Sequence, residues 1–287
     1  MSPMNEALNT MSENCPSVSV VVTNARGTKH LERCLKSLVQ TDYPRVEIIV
    51  VDCQTPQIEQ WVVKRFKNVR IMHFEDDIGA SASHNVGVAE ANSASKYLAF
   101  LDNDTVVEPT FLKELIAIME EDEKNGVAQA KILKMGDEER LDHTGLAVDA
   151  LGTWSTTFDM GEKNFNRVFE VFAASLAACA VRRDVFNEVG GFDETFFISD
   201  DDTDFCWRTR LLGYNVIFVP SARARHFGQI VGTLSPRRLC HSVKNRVCTM
   251  LKNYESKNLR WKIHVYYVLT LLCVFAFTLL LKPQQAI

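Results

Sequence analysis

The sequence predicts an α/β fold in which a mostly parallel β-sheet carries helices on both of its faces. Two patterns lead to this prediction. The first hundred residues alternate apolar runs of strand length with segments whose apolar residues recur at helical spacing. The run Val46–Val51 (VEIIVV) is apolar in the way expected of a strand that is buried on both faces. Strands and helices that alternate like this are joined by right-handed crossovers, which make neighbouring strands parallel.

The predicted elements follow in order along the chain. In the first hundred residues, strands are predicted at Val18–Thr23, Val46–Val51, Val69–His73 and Tyr97–Leu101, and helices at His30–Val39, Ile58–Phe66 and Ala82–Ala91. A helix is predicted from Pro109 to Glu121, because proline is tolerated in a first helical turn. The remaining predicted elements are a strand at Phe169–Val181, a helix at Asp200–Leu212 that stops before Gly213, and a strand at Asn215–Val219.

Composition and charge exclude several classes of protein. With 287 residues, 46% of them hydrophobic and 24% charged, the chain has the composition of a globular protein and not of a disordered or collagen-like one. A formal net charge of −4 argues against a chain that coats nucleic acid. The eight cysteines form no CxxC pair and indicate free thiols in a reducing compartment.

The C-terminal part of the chain differs in character from the rest. The stretch Arg237–Lys262 holds eight lysines and arginines but a single acid, Glu255, and the seventeen residues Val265–Leu281 carry no charge. Such a run is about 25 Å of helix, slightly less than the hydrocarbon core of a bilayer, so a buried core helix is the alternative to a membrane segment. We predict a membrane-associated or transmembrane helix at residues 263–282, because tryptophan and basic residues flank it.

Four segments are therefore expected. They are a flexible lead-in at residues 1–16, one folded domain at 17–234, a basic juxtamembrane helical region at 235–262, and the apolar helix at 263–282. The basic region is either the solvated face of a helix or a contact with an anionic membrane surface, and the apolar helix after it favours the membrane. The expected location is the cytoplasmic face of the cell membrane.

The strongest local signal is the sequence Asp102-Asn103-Asp104, directly after the strand Tyr97–Leu101. Two carboxylates at the carboxyl end of a buried strand can face one Mg²⁺ or Mn²⁺, whose remaining ligands come from a diphosphate. The alternative is an Asx turn without a ligand.

Other polar residues stand where further strands and helices begin or end. Asp52 ends the second strand, where it can accept a hydrogen bond from a base or ribose, and Asp77, Gly79, Asn85 and Gly87 surround the start of the third helix. A cluster of four acids, Asp200-Asp201-Asp202-Thr203-Asp204, opens a later helix. Capping a helix needs one or two acids, and the crowding of four raises the pKa of at least one carboxyl, which suits a general base.

These residues resemble the motifs of family 2 of the glycosyltransferases, inverting enzymes of the GT-A fold, and within it the rhamnosyltransferase-like branch. The resemblance covers residues 17–254. It rests on the segments VVDCQT (50–55), DIGASASHNVG (77–87), FLDNDT (100–105) and GGFDETFFISDDDTDFCWR (190–208), followed by Gly213-Tyr214.

The resemblance implies roles for particular residues. Thr23 and Asp52 contact the nucleoside, together with a donor-binding set of Asp77, Gly79, Asn85, Asp102 and Asn103. Asp102 meets the ribose or the metal, Asp104 binds the metal, and His226 is a further metal or diphosphate ligand. The catalytic base is Asp202, with Asp201 as the second candidate.

The implied reaction moves a sugar from a UDP-, dTDP- or GDP-linked donor to a hydroxyl of a lipid-linked or envelope-glycan acceptor, with Mg²⁺ or Mn²⁺ and without nucleic acid. Two departures from the family pattern, Cys53-Gln54-Thr55 and Asp77, leave the base and the sugar open. The alternatives are a catalytically inactive, membrane-tethered GT-A binding module and a nucleotidyltransferase.

Overall fold

A computed structural model describes residues 15–148, 154–156, 165–228 and 236–280. The first half of the chain alternates strands and helices, as its periodicity predicts. Its elements are β1 (Val18–Ala25), α1 (Lys29–Leu38), β2 (Val46–Cys53), α2 (Ile58–Arg65), β3 (Val69–Phe74), α3 (Ala80–Glu90), β4 (Tyr97–Asp102), β5 (Thr105–Val107) and α4 (Phe111–Glu121). Each element predicted in this half is confirmed, with its ends within two residues of the predicted ones.

The second half is richer in strands than the sequence indicated. Its elements are β6 (Asn125–Lys134), β7 (Asp137–His143), β8 (Leu146–Val148), β9 (Trp154–Thr156), β10 (Phe169–Glu170), β11 (Ala178–Arg182), α5 (Arg183–Val189), α6 (Asp201–Leu211), β12 (Asn215–His226), α7 (Pro236–Asn253) and α8 (Ser256–Leu280). A 3₁₀ turn at Glu194–Phe196 precedes α6. The strand predicted over Phe169–Val181 is in fact the two separate strands β10 and β11.

Within the described residues, the main sheet has the strand order β10-β12-β6-β11-β4-β1-β2-β3, with β5 on β12 and β7 on β6. The pairs β1–β2, β1–β4, β2–β3 and β6–β12 are parallel, whereas β11 runs antiparallel to both of its neighbours. The prediction of a mostly parallel sheet is therefore corrected to a mixed one. Only the half made of β3, β2, β1 and β4 is built from helical crossovers, which impose the parallel direction.

Both faces of the sheet are covered, because successive side chains of a central strand point to opposite faces. Val18, Val20 and Val22 of β1 face one core with α1, α2 and α4, and Val21 faces the other core with α3, α5 and α6. All four valines are fully buried. Because β1, β2 and β4 are parallel, their carboxyl ends meet at one edge of the sheet, where ligands bind in folds of this kind.

Strand β12 continues beyond the Val219 at which the sequence pattern stops. Its pairing with β6 shifts register between Val219 and Arg223, so the chain bulges around Pro220 and then resumes the ladder through His226. Proline cannot donate to the ladder and is tolerated at such a bulge. The extension carries His226 to the edge of the sheet where β4 ends.

The C-terminal chain forms helices α7 and α8 against the domain, and Tyr266 of α8 is buried there. No helix in the described ranges is both long and apolar enough to cross a membrane. The predicted transmembrane helix at residues 263–282 is therefore not supported. Residues 281 and 282 of that prediction, and residues 1–14 of the predicted lead-in at 1–16, lie outside the described residues.

Candidate functional site

Three side chains that can ligate a metal converge at the edge of the sheet where β4 ends. Asp102 is the last residue of β4, Asp104 lies in the turn to β5, and His226 is the last residue of β12. One ligand atom from each lies within 4.8 Å of the others. His226 Nε2 is 3.0 Å from Asp104 Oδ1 and 3.9 Å from Asp102 Oδ2.

Backbone pairing holds these residues in place. The short strand β5 pairs with the end of β12, which sets His226 opposite Thr105. The amide of Phe227 donates to the carbonyl of Asp104 over 3.1 Å, and the amide of Asp102 donates to the carbonyl of Ala177. The cluster is therefore assembled by ladder hydrogen bonds and does not depend on loop conformation alone.

A third carboxylate, apart from the two candidate metal ligands, contacts the other ring nitrogen of His226. His226 Nδ1 lies 2.6 Å from Oδ2 of Asp142, which strand β7 brings alongside β6. Burial acts to lower the pKa of His226, but the hydrogen bonds to Asp104 and Asp142 prevail and raise it to about 10. Burial acts to raise the pKa of Asp142, yet His226 lowers it below the usual range. Desolvation raises the pKa of Asp102.

This donor set fits a divalent cation. Carboxylate oxygens are the ligands that Mg²⁺ and Mn²⁺ prefer, and a neutral imidazole nitrogen suits Mn²⁺ in particular. The Asp102 side chain is 43% exposed, whereas those of Asp104 and His226 are 14% and 17% exposed. The cluster is thus closed on the protein side and open toward solvent, as a cation that also binds a substrate requires.

Beside the cluster, the carboxyl end of β2 carries a fully buried carboxylate, Asp52. Its Oδ2 lies 2.8 Å from Nδ1 of His73 and accepts from the amide of Thr55, and its Oδ1 accepts from Nδ2 of Asn24. Asn24 Oδ1 in turn accepts from Nδ2 of Asn103 over 2.5 Å. This network connects the end of β2 to the Asp102-Asn103-Asp104 turn through β1, whose Thr23 stands in register with Asp102.

The turns next to this network, at the ends of β1 and β2, have a strained backbone. Arg26 and Gln54 have φ values of 58° and 63°, and Nε of Arg26 donates to Oε1 of Gln54 over 2.8 Å. Arg26 also forms an ion pair of 3.0 Å with Asp77, whose Oδ1 accepts from the amide of Gly79. A left-handed backbone at residues other than glycine is uncommon and often occurs at binding sites.

Helix α6 presents the acid cluster, and the structure divides it into two kinds of acid. Asp204 is fully buried and neutralised, with Arg208, Lys252 and Asn253 at 2.8, 3.0 and 3.0 Å. Asp201 is buried and accepts from Ser81 Oγ over 3.1 Å. Across the described residues, the hydrogen bonds recorded for Asp202 come from Thr203 alone.

Burial and mutual repulsion set the protonation of this pair. Burial raises the pKa of Asp202, and the charges of Asp201 and Asp200 add to the effect. Burial likewise raises the pKa of Asp201, with a contribution from Asp102.

Two of the residues expected to bind a donor are engaged within the protein. Asn85 donates to the carbonyl of Phe192 and to Glu194, and its Oδ1 accepts from the amide of Phe192, so its amide secures that loop. At Gly79 (φ 86°), a Cβ would come within 2.7 Å of Phe197. Glycine is therefore required there for close packing against the loop that precedes α6.

Sequence reasoning missed three polar residues of this region. His73 and Asn24 contact Asp52, and Asp142 contacts His226. His73 could have been found, because it lies at the end of a strand predicted to reach the same edge. Asp142 offered no signal, since it stands in a charged segment for which no strand was predicted.

Comparison with known proteins places the chain among glycosyltransferases. A family model described as "Glycosyltransferase like family 2" matches residues 16–262. The O-antigen biosynthesis protein RfbC of Myxococcus xanthus is 28% identical over 232 residues, which is 74% of this chain but 17% of that protein. Glycosyltransferase AglE of Haloferax volcanii is 24% identical over 231 residues, 77% of this chain and 71% of that one.

Solved structures share the fold. GalNAc-T7, solved with UDP, GalNAc and Mn²⁺, has a TM-score of 0.67 at 20% identity, covering 83% of this chain and 48% of that one. Mannosyltransferase PcManGT from Pyrobaculum calidifontis, solved with GDP-Man and Mn²⁺, has a TM-score of 0.62 at 16% identity, covering 95% of this chain and 83% of that one.

Proposed function

The chain belongs to glycosyltransferase family 2, and from that premise we propose that it transfers a sugar from a nucleoside-diphosphate sugar to an acceptor hydroxyl, with inversion at the anomeric carbon. The convergence of Asp102, Asp104 and His226 at the end of β4 is the observation that carries the proposal. A cation site for the diphosphate and a base for the acceptor hydroxyl are the two parts that a single displacement requires.

The nucleoside would occupy the pocket at the ends of β1 and β2. Asp52 is fully buried there and bonds to Asn24 and His73, Asn103 bonds to Asn24, and Thr23 stands in register with Asp102. Related structures hold UDP or GDP-Man, so we propose a UDP-, GDP- or dTDP-linked donor. The nucleobase and the sugar of the donor are left open by the departures at Cys53-Gln54-Thr55 and Asp77.

The cofactor would be Mg²⁺ or Mn²⁺, held by Asp102, Asp104 and His226. When bound, it neutralises charge that develops on the departing diphosphate. The chain contributes positive charge to the same region, because Arg238 of α7 acts electrostatically on Asp102. Backbone pairing of β5 with β12 keeps the three ligands in place before the substrate arrives.

Asp202 is proposed as the general base, with Asp201 as the second candidate. Asp201 is tied to Ser81, whereas the bonds recorded for Asp202 in the described chain come only from Thr203, so Asp202 has an oxygen available for the acceptor hydroxyl. Its raised pKa strengthens it as a proton acceptor. The proton passes from the acceptor to Asp202 as the new glycosidic bond forms and the bond to the diphosphate breaks.

The test measures nucleoside-diphosphate release from UDP-, GDP- and dTDP-sugars with Mn²⁺, with Mg²⁺ or with chelator. We expect one donor class to be active and release to be lost with chelator and in Asp104→Ala. Asp202→Asn should retain nucleotide binding and lose about 10²–10⁴-fold in turnover, the usual contribution of a general base.

Asp193→Asn is the matched control for that variant, since it neutralises an acid of the preceding loop whose partners are Lys252 and Thr195. Equal turnover in Asp202→Asn and Asp193→Asn would overturn the assignment of the base. Metal-independent release would overturn the role of the cation cluster.

The acceptor is proposed to be lipid-linked or part of an envelope glycan, reached at the anionic surface on the cytoplasmic side of the cell membrane. Helix α8 supports this proposal, because it exposes Tyr267, Leu272 and Phe275 to 63%, 58% and 63%. Exposed Lys257 and Arg260 stand about two to five turns before these side chains, where anionic headgroups would meet them. We propose that α8 is the part of the chain that contacts the membrane surface.

Flotation with phosphatidylglycerol vesicles, compared with phosphatidylcholine vesicles, tests this second part. We expect binding to the anionic vesicles, weakened by salt and lost in Leu272→Asp combined with Phe275→Asp. Equal recovery of wild type and double variant with the vesicles would refute the role of α8, without bearing on the transfer reaction.

A further inference from the structure

The segment that precedes the candidate base is strained. Phe197, Ser199 and Asp200 have φ values of 63°, 72° and 62°, and Asp201 follows directly as the first residue of α6. Each of these residues carries a Cβ, which disfavours a left-handed backbone. Residues persist in such conformations only where the surrounding structure holds them there.

One side chain of α7 makes most of the contacts that hold this segment in place. Asn245 is fully buried, and its Nδ2 lies 2.8, 2.9 and 2.7 Å from the carbonyl oxygens of Phe196, Ile198 and Ser199, which share its two N–H donors. All three partners are acceptors, so the amide must present its NH₂ group to them. A single buried amide thus binds three backbone carbonyls in and directly before the strained segment.

Neighbouring residues of α7 extend the same contact. Lys244 Nζ donates to the carbonyl of Thr195 over 2.6 Å, and the ring of His241 stacks on Phe197 with centroids 5.3 Å apart. Arg246 lies 3.8 Å from a carboxylate oxygen of Asp200. Part of the basic stretch is therefore directed into the protein, toward the loop and its acids, and not toward solvent or lipid.

The opposite side of the turn is fixed by α3. The amide of Ala80 donates to the carbonyl of Phe197 over 2.6 Å, and Ser81 bonds to Asp201. The turn is consequently clamped between the N-terminus of α3, which adjoins the donor pocket, and α7. We expect the strained backbone to relax when the α7 contact is removed.

We infer that Asn245 is a positioning residue of the transferase: it holds Phe197–Asp200 in the conformation that presents Asp201 and Asp202 to the donor and acceptor. This inference rests on the proposed function of Asp202. Asn245 acts through the turn and touches no reacting atom. A shift of about 1 Å in a catalytic group costs about a hundredfold in rate, so loss of the clamp should be visible in turnover.

The experiment compares Asn245→Ala with Asn253→Ala in the full chain. Asn253 is a matched control, because it is a buried asparagine two turns later on α7 whose Nδ2 donates to Asp204 and to the carbonyl of Thr249. Three quantities are measured: hydrogen exchange of the peptide covering residues 194–204, the Kd for UDP and GDP with Mn²⁺, and turnover of the active donor.

For Asn245→Ala, we expect exchange in that peptide to rise at least tenfold, the Kd to stay within about twofold, and turnover to fall by about a hundredfold. Asn253→Ala should leave the Kd and turnover close to wild type. Unchanged exchange at residues 196–203, or a turnover loss no larger than that of Asn253→Ala, would overturn the inference.

Two further variants separate the possible failures. Full turnover in Asp202→Asn would refute the proposed base while leaving the exchange result for the turn intact. If Asn245→Ala does not fold, the same comparison is made in a Ser199→Gly background, because glycine adopts the φ of 72° at low cost. A donor Kd that rises together with the loss of turnover would show a general disruption of the pocket and reject the positioning role.

Discussion

Replacing His84 with leucine should make the protein markedly less sensitive to acid. His84 lies on α3 with 2% of its surface exposed, between the rings of Phe100 and Phe192 at 5.4 and 5.3 Å. In the part of the chain that the structure describes, neither ring nitrogen has a hydrogen-bond partner. Burial therefore disfavours the charged imidazolium and lowers the pKa of His84 to about 3.

The size of the effect follows from proton linkage. Between pH 6.5 and about 3, the unfolded chain binds a proton on this histidine that the folded chain does not, so stability falls as the pH falls through that window. Each pH unit below the unfolded pKa costs about 1.4 kcal/mol, which amounts to about 2 kcal/mol between pH 7 and pH 5. Leucine has a similar volume and no titratable group, so this component disappears.

Urea unfolding followed by circular dichroism, at pH 7, 6 and 5 and constant ionic strength, measures the difference. We expect the free energy of unfolding of His84→Leu, relative to wild type, to rise by about 2 kcal/mol from pH 7 to pH 5. Val88→Ala is the control, because it alters a buried residue of the same helix that does not titrate. Parallel pH dependences of wild type and His84→Leu would refute the reasoning.

Three further predictions follow from the site and the core. Asp142→Asn should weaken Mn²⁺ binding by about 10–100-fold in calorimetry, because it removes the carboxylate that orients His226, and unchanged affinity would exclude that role. Gly87→Ala should cost about 1–3 kcal/mol in urea unfolding, since a Cβ would approach Cγ1 of Val21 to 2.3 Å, and wild-type stability would show that the helix can shift. Turnover should fall as the pH drops on the acid side, beginning above the usual carboxyl range because the pKa of Asp202 is raised; an acid limb that survives in Asp202→Asn would assign it to another group.

The sequence was a good guide to the elements whose burial pattern is regular. Strand β1 is a run of β-branched residues and helix α1 repeats apolar residues every three to four positions, and both are confirmed. The strands and helices of the second half of the chain were predicted less accurately. Pro220 ended the predicted strand, although a bulge allows β12 to resume, and β6 to β9 were not predicted. Local patterns do not reveal a ladder that depends on a distant partner strand.

The candidate site divides in the same way. Residues at the ends of predicted strands, Asp52, Asp102 and Asp104, could be named because parallel strands deliver their carboxyl ends to one edge. His226 was named only from the family resemblance, and its convergence with Asp102 and Asp104 depends on the antiparallel pairing of β5 with β12, which spans more than a hundred residues of sequence. Asp142 and Asn245 acquire their roles only through contacts with residues far away in the chain.

The sequence by itself determined the α/β class, the covered sheet, the family and the acids from which a site could be built, because periodicity and short motifs are local properties. Only the tertiary structure decided which of the four acids at the start of α6 are neutralised and which has an oxygen available, since Arg208, Lys252 and Asn253 reach Asp204 from other turns and another helix. It also decided that part of the basic stretch clamps a strained turn. Both outcomes depend on long-range contacts whose geometry arises only when the elements pack.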